Sequence, residues 1–263
     1  MPSEVGLSMA VEETGAALEA EGLTLSWDGQ TTIVQGVDLS VRPGEIACLV
    51  GKSGCGKTTI LHALAGLTEP CAGRVLLHGK DVTGTPGQVS YMLQKDLLLP
   101  HLTILDNVCL PLTIKGMGLK AARAQAAPLF ERFGLSGTEQ RWPAQLSGGM
   151  RQRAAFMRTY LMGNDVVLLD EPFSALDAIT RAELRGWYCT MSRELGLASV
   201  VITHDVDEAV LMADRIHVLV GSPATGVPTT VGAVVVPERC EAFELSEPYL
   251  EAKRAVLAAL EMS

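Results

Sequence analysis

From Ile46 to Gly66 the chain reads as an apolar run, a glycine-rich turn and a helix stopped by glycine, and few folds accommodate that order. The run Ile46–Val50 (IACLV) carries no charge, as expected of a strand covered on both faces in a parallel sheet. The turn, Gly51-Lys52-Ser53-Gly54-Cys55-Gly56-Lys57-Thr58, fits G-x-x-x-x-G-K-[ST] between strand and helix, as that pattern requires. Its glycines let backbone N–H groups turn inward as a nest for phosphate oxygens, at the positive end of a helix dipole. Lys57 is then placed to reach β- and γ-phosphates, and the Thr58 hydroxyl to ligate Mg²⁺. Gly51, Ser53, Gly54, Cys55, Gly56 and Thr59 complete the expected cradle. A glycine-rich turn can be a mere bend, but eight positions with the correct flanks favour a nucleotide.

The chain has 263 residues, 48% of them apolar, which supplies a core and excludes intrinsic disorder. Twenty-one Lys and Arg stand against thirty Asp and Glu, a net charge of −9. Holding nucleic acid by its phosphates needs clustered positive charge, so no nucleic-acid partner is expected. Six cysteines are scattered without a C-x-x-C pair or zinc spacing, and read as small buried hydrophobes in a reducing compartment. Glu4, Glu12, Glu13, Glu19 and Glu21 have no Lys or Arg among them. A secretory leader starts with positive charge, so residues 1–20 read as an acidic tail on a cytoplasmic chain. Ile216–Pro237 runs 22 residues without a charge, about the length of a membrane span. Pro223, Pro228 and Pro237, with Gly221, Gly226 and Gly232, break it, and backbone freed by such breaks has no partner in lipid. It reads as two strands and a loop.

Elsewhere short apolar runs alternate with helical periodicity, which predicts α/β architecture. Strands are expected at Val75–Leu77, Val89–Leu93, Val166–Leu169, Ser199–Thr203 and Ile216–Val220. Helices are expected at Lys57–Ala65, Ile179–Leu195, Val206–Ala213 and Glu247–Met262. Leu105–Tyr160 is mainly helical, with a break at Pro128. That order implies a parallel-sheet core with a helical subdomain inserted at about 97–160. Residues 22–45 read as short strands with turns at Asp28-Gly29 and Pro43-Gly44, an antiparallel N-terminal piece. Residues 21–263 then form one domain, closed by a strand and helix extension at about 221–263.

Val166-Val167-Leu168-Leu169-Asp170-Glu171 is an apolar strand ending in two carboxylates. Asp170 suits Mg²⁺, and Glu171 suits orienting and polarising an attacking water. Such an ending is common by itself; beside the glycine loop it specifies a P-loop nucleotide hydrolase. Leu146-Ser147-Gly148-Gly149-Met150-Arg151-Gln152-Arg153, with Ser147 lying 23 residues before Asp170, resembles the signature of ATP-binding cassette (ABC) proteins. Ser147 can cap a helix whose N-terminal N–H groups face outward, a second anion site with no lysine of its own.

The resemblance extends over nearly the whole chain and implies further roles. Gln94, 37 residues after Lys57, matches the Q-loop glutamine that touches Mg²⁺ and faces a membrane partner. Ser174-Ala175-Leu176-Asp177 matches the D-loop at the dimer interface, where Asp177 adjoins nucleotide. His204 matches the switch histidine at the γ-phosphate. Trp27, 24 residues before Gly51, matches an aromatic that stacks on adenine. Catalysis would then rest on Glu171, His204, Lys57 and Gln94. ATP would contact the glycine loop, Trp27, Gln94, Asp170, Asp177 and Ser147-Gly148-Gly149, and Mg²⁺ would be held by Thr58, Gln94 and Asp170.

Gln94–Val108 and His204–Ala209 look like bacterial importers of the nitrate, sulfonate and thiamine-precursor group. Lys52 departs from the Pro of many relatives, but no catalytic position is missing. The resemblance implies a homodimer on the cytoplasmic side of the inner membrane, with two transmembrane permease subunits and a periplasmic or lipid-anchored solute-binding protein. An exporter or lipoprotein-release cassette is the closest alternative. A DNA-repair cassette needs long coiled-coil or DNA-binding insertions, and a P-loop kinase has no use for the signature or His204.

Overall fold

The computed structural model describes residues 15–26, 31–222, 227–236 and 243–261. The strands are β1 (Leu18–Ser26), β2 (Thr32–Val41), β3 (Ile46–Gly51), β4 (Ala72–Leu77), β5 (Lys80–Asp81), β6 (Ser90–Met92), β7 (Val166–Asp170), β8 (Ala198–Ile202), β9 (Arg215–Ser222) and β10 (Val227–Val235). The helices are α1 (Lys57–Leu64), α2 (Ile104–Ile114), α3 (Leu119–Ala126), α4 (Leu129–Arg132), α5 (Gly148–Tyr160), α6 (Ala178–Glu194), α7 (Val206–Met212) and α8 (Glu247–Glu261).

One sheet in the order β5-β4-β1-β2-β10-β9-β3-β8-β7-β6 runs through the described residues. Its β9-β3-β8-β7-β6 half is parallel throughout, and β1, β2, β4 and β5 pair antiparallel. The α/β fold with a parallel core, an antiparallel N-terminal sheet and inserted helices is therefore as expected. The apolar runs acquire two faces once folded, because side chains alternate along a strand. Ile46, Cys48 and Val50 join one core with α2 to α8, whereas Ala47 and Leu49 join a second with α1 and the antiparallel strands. Helices α2 to α5 occupy the predicted insertion, and Pro128 stands at the start of α4, where it divides α4 from α3.

Several boundaries differ from the expectation. Strand β1 begins at Leu18, inside the segment read as a tail. Leu18, Ala20 and Leu23 are fully buried, and their spacing outweighs the intervening glutamates. Strands β1 and β2 span 9 and 10 residues and are not short. The Asp28-Gly29 turn lies outside the described residues. The extension drawn from 221 cuts β9, and β10 is no appendage: it sits between β2 and β9, parallel to the first and antiparallel to the second. Its register shifts between Val227 and Thr230, around Pro228, which has no N–H to give a ladder. The uncharged stretch is thus a β9–β10 pair within the sheet. Among the described residues no helix is long and apolar enough to cross a membrane.

Candidate active site

The glycine turn leaves β3 at its C-terminal end, the edge of a parallel sheet where ligands gather. Gly51 has no room for a side chain: a Cβ there would lie 2.7 Å from Cys55 Sγ and 2.8 Å from Leu219 Cβ. Gly56 caps α1 at φ 100°, a left-handed conformation that favours glycine, and no side chain caps the helix. The first N–H groups of α1 therefore remain available to an anion. Lys57 is buried, and its Nζ donates to the carbonyls of Gly51 (2.8 Å) and Lys52 (3.0 Å). The ammonium is thereby held at the mouth of the loop.

An open cleft of about 680 Å³ adjoins this loop, lined among others by Ser53, Gly54, Lys57, Thr58, Thr59 and Glu171. Thr58 Oγ1 donates to Asp170 Oδ2 at 3.4 Å, so the hydroxyl and carboxylate that sequence reading paired as metal ligands are neighbours. Burial, and then the charge of Glu171, raise the carboxyl of Asp170 above the usual carboxylate range. A hard divalent cation beside these oxygens would relieve that crowding. No three acidic, His or Cys residues cluster as a metal site among the described residues. Few protein ligands completed by phosphates and water is the habit of Mg²⁺, so the oxygen donors fit it.

Two of the predicted catalytic residues, Gln94 and His204, meet a third at Glu171, whereas Lys57 stays with the glycine loop. Glu171 Oε2 receives Gln94 Nε2 at 3.3 Å and lies 3.2 Å from His204 Nδ1. Glu171 itself has φ 44°, uncommon outside glycine and worth noting at a reactive position. Its N–H bonds Ile202 O at 3.0 Å, and its carbonyl accepts from Ser174 Oγ at 3.0 Å, which holds that conformation.

Sequence reading missed three neighbours. Ser174 Oγ accepts from Gln94 Nε2 at 3.3 Å. It stands in a quoted motif, but nothing local marks its hydroxyl as a contact. His62 lines the cleft one helical turn beyond Thr58, and that i, i+4 spacing on α1 was the available signal. Tyr91 packs edge-on against His62 at 5.9 Å, and burial, then the Asp170 charge, push its hydroxyl pKa upward. Trp27 lies outside the described residues, although Ser26 and Ile33 on either side of that gap line the cleft.

Ser147, Gly148, Gly149 and Asp177 do not line this cleft. Ser147 caps α5, accepting Met150 N–H at 3.3 Å, and Asp177 caps α6, accepting Thr180 N–H at 3.0 Å. The two caps abut. A Cβ on Gly148 would stand 3.0 Å from Leu176 Cδ2, and one on Gly149 2.9 Å from Thr180 Cγ2. Helix α5 also grips the segment after Gln94: Arg151 Nε reaches Asp96 Oδ2 at 3.3 Å, and Arg158 donates to the carbonyls of Asp96 and Leu97. The two residues that follow Lys95 are in this way tied to the helix that Ser147 begins.

That contact makes a prediction. Gly149→Ala overpacks the Thr180 methyl, a strain of about 1–3 kcal/mol, against about 1 kcal/mol of helix propensity gained. The variant should lose stability in urea titration, and adding Thr180→Ser, which removes Cγ2, should recover it. A double variant no more stable than Gly149→Ala would refute the packing account.

A sequence model of the ABC transporter family matches residues 34–174. The formylaminopyrimidine import ATP-binding protein of Halalkalibacterium halodurans is 39% identical over 80% of this chain and 82% of its own length. An Fe(3+) ions import ATP-binding protein of Rhizobium etli is 44% identical over 73% of this chain, which spans only 55% of that protein. Among solved structures, a bacterial ABC transporter cassette in dimeric form matches with TM-score 0.69 and 26% identity, covering 84% of this chain and 100% of that one. The cbiO1 protein of Clostridium perfringens shares the fold with TM-score 0.73 at 22% identity, covering 82% and 87% of the two chains.

Proposed function

We propose that this chain, which belongs to the ABC transporter family of ATP-hydrolysing subunits, powers the import of a small solute across the cell membrane. The observation carrying this reading is the convergence of Gln94 and His204 on one carboxylate oxygen of Glu171, which lines the cleft at the glycine loop. The loop and Lys57 bind the nucleotide phosphates. Thr58, Asp170 and Gln94 would hold Mg²⁺, which when bound would supply positive charge against the phosphates. Glu171 orients and polarises the attacking water as general base. Gln94 and Ser174 fix the amide–carboxylate contact, and His204 steadies the same Glu171 oxygen. Adenine stacks on Trp27.

The working form is a homodimer seated peripherally on the cytoplasmic face of two permease subunits, fed by a periplasmic or lipid-anchored solute-binding protein. Relatives named for formylaminopyrimidine and Fe(3+) import support import over export, and the solute is a thiamine precursor, a sulfonate or another small anion. Reconstitution with the neighbouring permease in vesicles tests this. ATP-dependent accumulation on the side of the ATPase supports import, and accumulation on the opposite side overturns it.

The phosphate contact has its own test. A charge-assisted hydrogen bond contributes about 1.5–3 kcal/mol, so Lys57→Ala should weaken ATP binding roughly 10- to 150-fold by calorimetry. AMP, lacking β- and γ-phosphates, should bind as before. Equal losses for both nucleotides would mean a damaged fold and not a lost phosphate contact.

A further inference from the structure

His204 is held from the C-terminal end of the chain as well as by the cleft. The residue after it, Asp205, caps α7 by accepting the N–H groups of Asp207 (2.9 Å) and Glu208 (3.2 Å). Thr203, the residue before it, accepts Asp205 N–H at 3.1 Å and donates to the carboxylate of Glu208. Arg181 of α6 approaches Asp205 Oδ2 at 3.8 Å while donating to Leu176 O at 2.9 Å. His204 therefore sits in a turn whose two flanking residues are hydrogen-bonded to the first turn of α7. That helix has only 7 residues, too few to be stable alone, so tertiary contacts decide where it points.

One such contact is Asp207, in the first turn of α7. Its carboxylate takes the Tyr249 hydroxyl and the Lys253 ammonium, both from α8. Burial of Asp207 opposes its charge, but these two hydrogen bonds together with the charges of Lys253 and Arg185 hold the carboxyl below the usual range. Helix α8 is itself anchored through Tyr249, Ala252 and Val256, with Phe243 packed edge-on to the Tyr249 ring at 5.8 Å. It lies beyond the segment 34–174 shared with the family model.

We propose that Tyr249 and Lys253 are positioning residues that seat His204 against Glu171 by clamping Asp207, so that hydrolysis depends on the docking of α8. This rests on the ATPase reading above. Neither residue touches nucleotide; their influence passes through α7 to the His204–Glu171 contact. A ligand or subunit that displaced α8 would slow hydrolysis without entering the cleft.

The test uses the full chain with Tyr249→Phe plus Lys253→Met. Misplacing a contact of this kind by a fraction of an ångström should cost about 10-fold in kcat, with KM for ATP within about 2-fold of the parent. Lys253→Arg, which keeps the charge, should retain most of the turnover. In a His204→Ala background the clamp substitutions should add almost nothing, because both act through one residue. A full additional loss in that background, or no loss in the parent, overturns the proposal. Imidazole NMR decides it independently of turnover: the His204 signals should move in the clamp variant while those of His78 and His101 stay, and unmoved His204 signals refute the clamp. Absence of hydrolysis in the parent chain would instead strike the ATPase reading, with the NMR result still standing for or against the clamp.

Discussion

Glu171→Gln is expected to lower ATP turnover at least about 100-fold, the scale of a lost general base, while ATP still binds. The substitution keeps the length and shape of the side chain and removes only its charge and basicity. Gln94 Nε2, 3.3 Å away, can still donate to an amide oxygen, and His204 Nδ1 at 3.2 Å can pair with either end of the amide through its tautomer. The cleft walls stay as they are, since Lys57 and Thr58 draw nothing from Glu171. A nucleotide-loaded dimer should therefore accumulate, read as ATP retained through gel filtration. Asp170 tells the same story from the other side: its carboxyl is raised by burial and then by the Glu171 charge, so the glutamine variant should find Asp170 ionised more readily. Turnover close to normal would move the water-activating role elsewhere, and His204 is the next group within reach.

The parts of this site that were legible in the sequence are those whose chemistry is local. Gly51 and Gly56 announce themselves because backbone must pass where a Cβ cannot, and Asp170-Glu171 gains meaning because its apolar strand accompanies that glycine loop. The convergence of Gln94, Glu171 and His204 has no local cause. It is set by β7 pairing with β6 on one side and β8 on the other, which brings three strand ends to one edge. Motif order foretold that meeting only through resemblance to a family. The place of β10 was not legible at all. Its residues carry strand propensity, but insertion between β2 and β9 is a long-range choice that no window of sequence contains. Strand β1 was truncated in the reading because Glu19 and Glu21 look like tail, whereas the alternation with buried Leu18, Ala20 and Leu23 belongs to a half-covered sheet. Tyr249 and Lys253 were invisible for the same reason as β10: nothing near them in sequence names Asp207 as their partner.

Mixing two inactive variants, Lys57→Ala and Ser147→Arg, is expected to restore trapped ATP that neither variant holds alone. Within one chain the glycine loop and the Ser147 helix start are separate: Ser147, Gly148 and Gly149 do not line the cleft that Lys57 and Glu171 share. Gly148 and Gly149 pack instead against Leu176 and Thr180, so the start of α5 is anchored to the Asp177 cap and not to its own glycine loop. Each chain thus offers one glycine loop with a lysine and one serine-capped helix start without one. Two copies related by a two-fold axis can satisfy both halves, cradle against helix start, at two equivalent sites. A cassette of the same fold solved as a dimer makes that pairing reasonable. In a mixed dimer one site then collects both defects, and the other joins an intact Lys57 to an intact Ser147. Recovery of about one trapped ATP per mixed dimer is the expected stoichiometry. Ser147→Arg also removes a helix cap, a cost of about 1 kcal/mol, so thermal melting must show that this variant is folded before mixing. If each site were built within one chain, every site in the mixture would stay defective. No ATP retained by mixed dimers that demonstrably form would leave the shared-site arrangement without support.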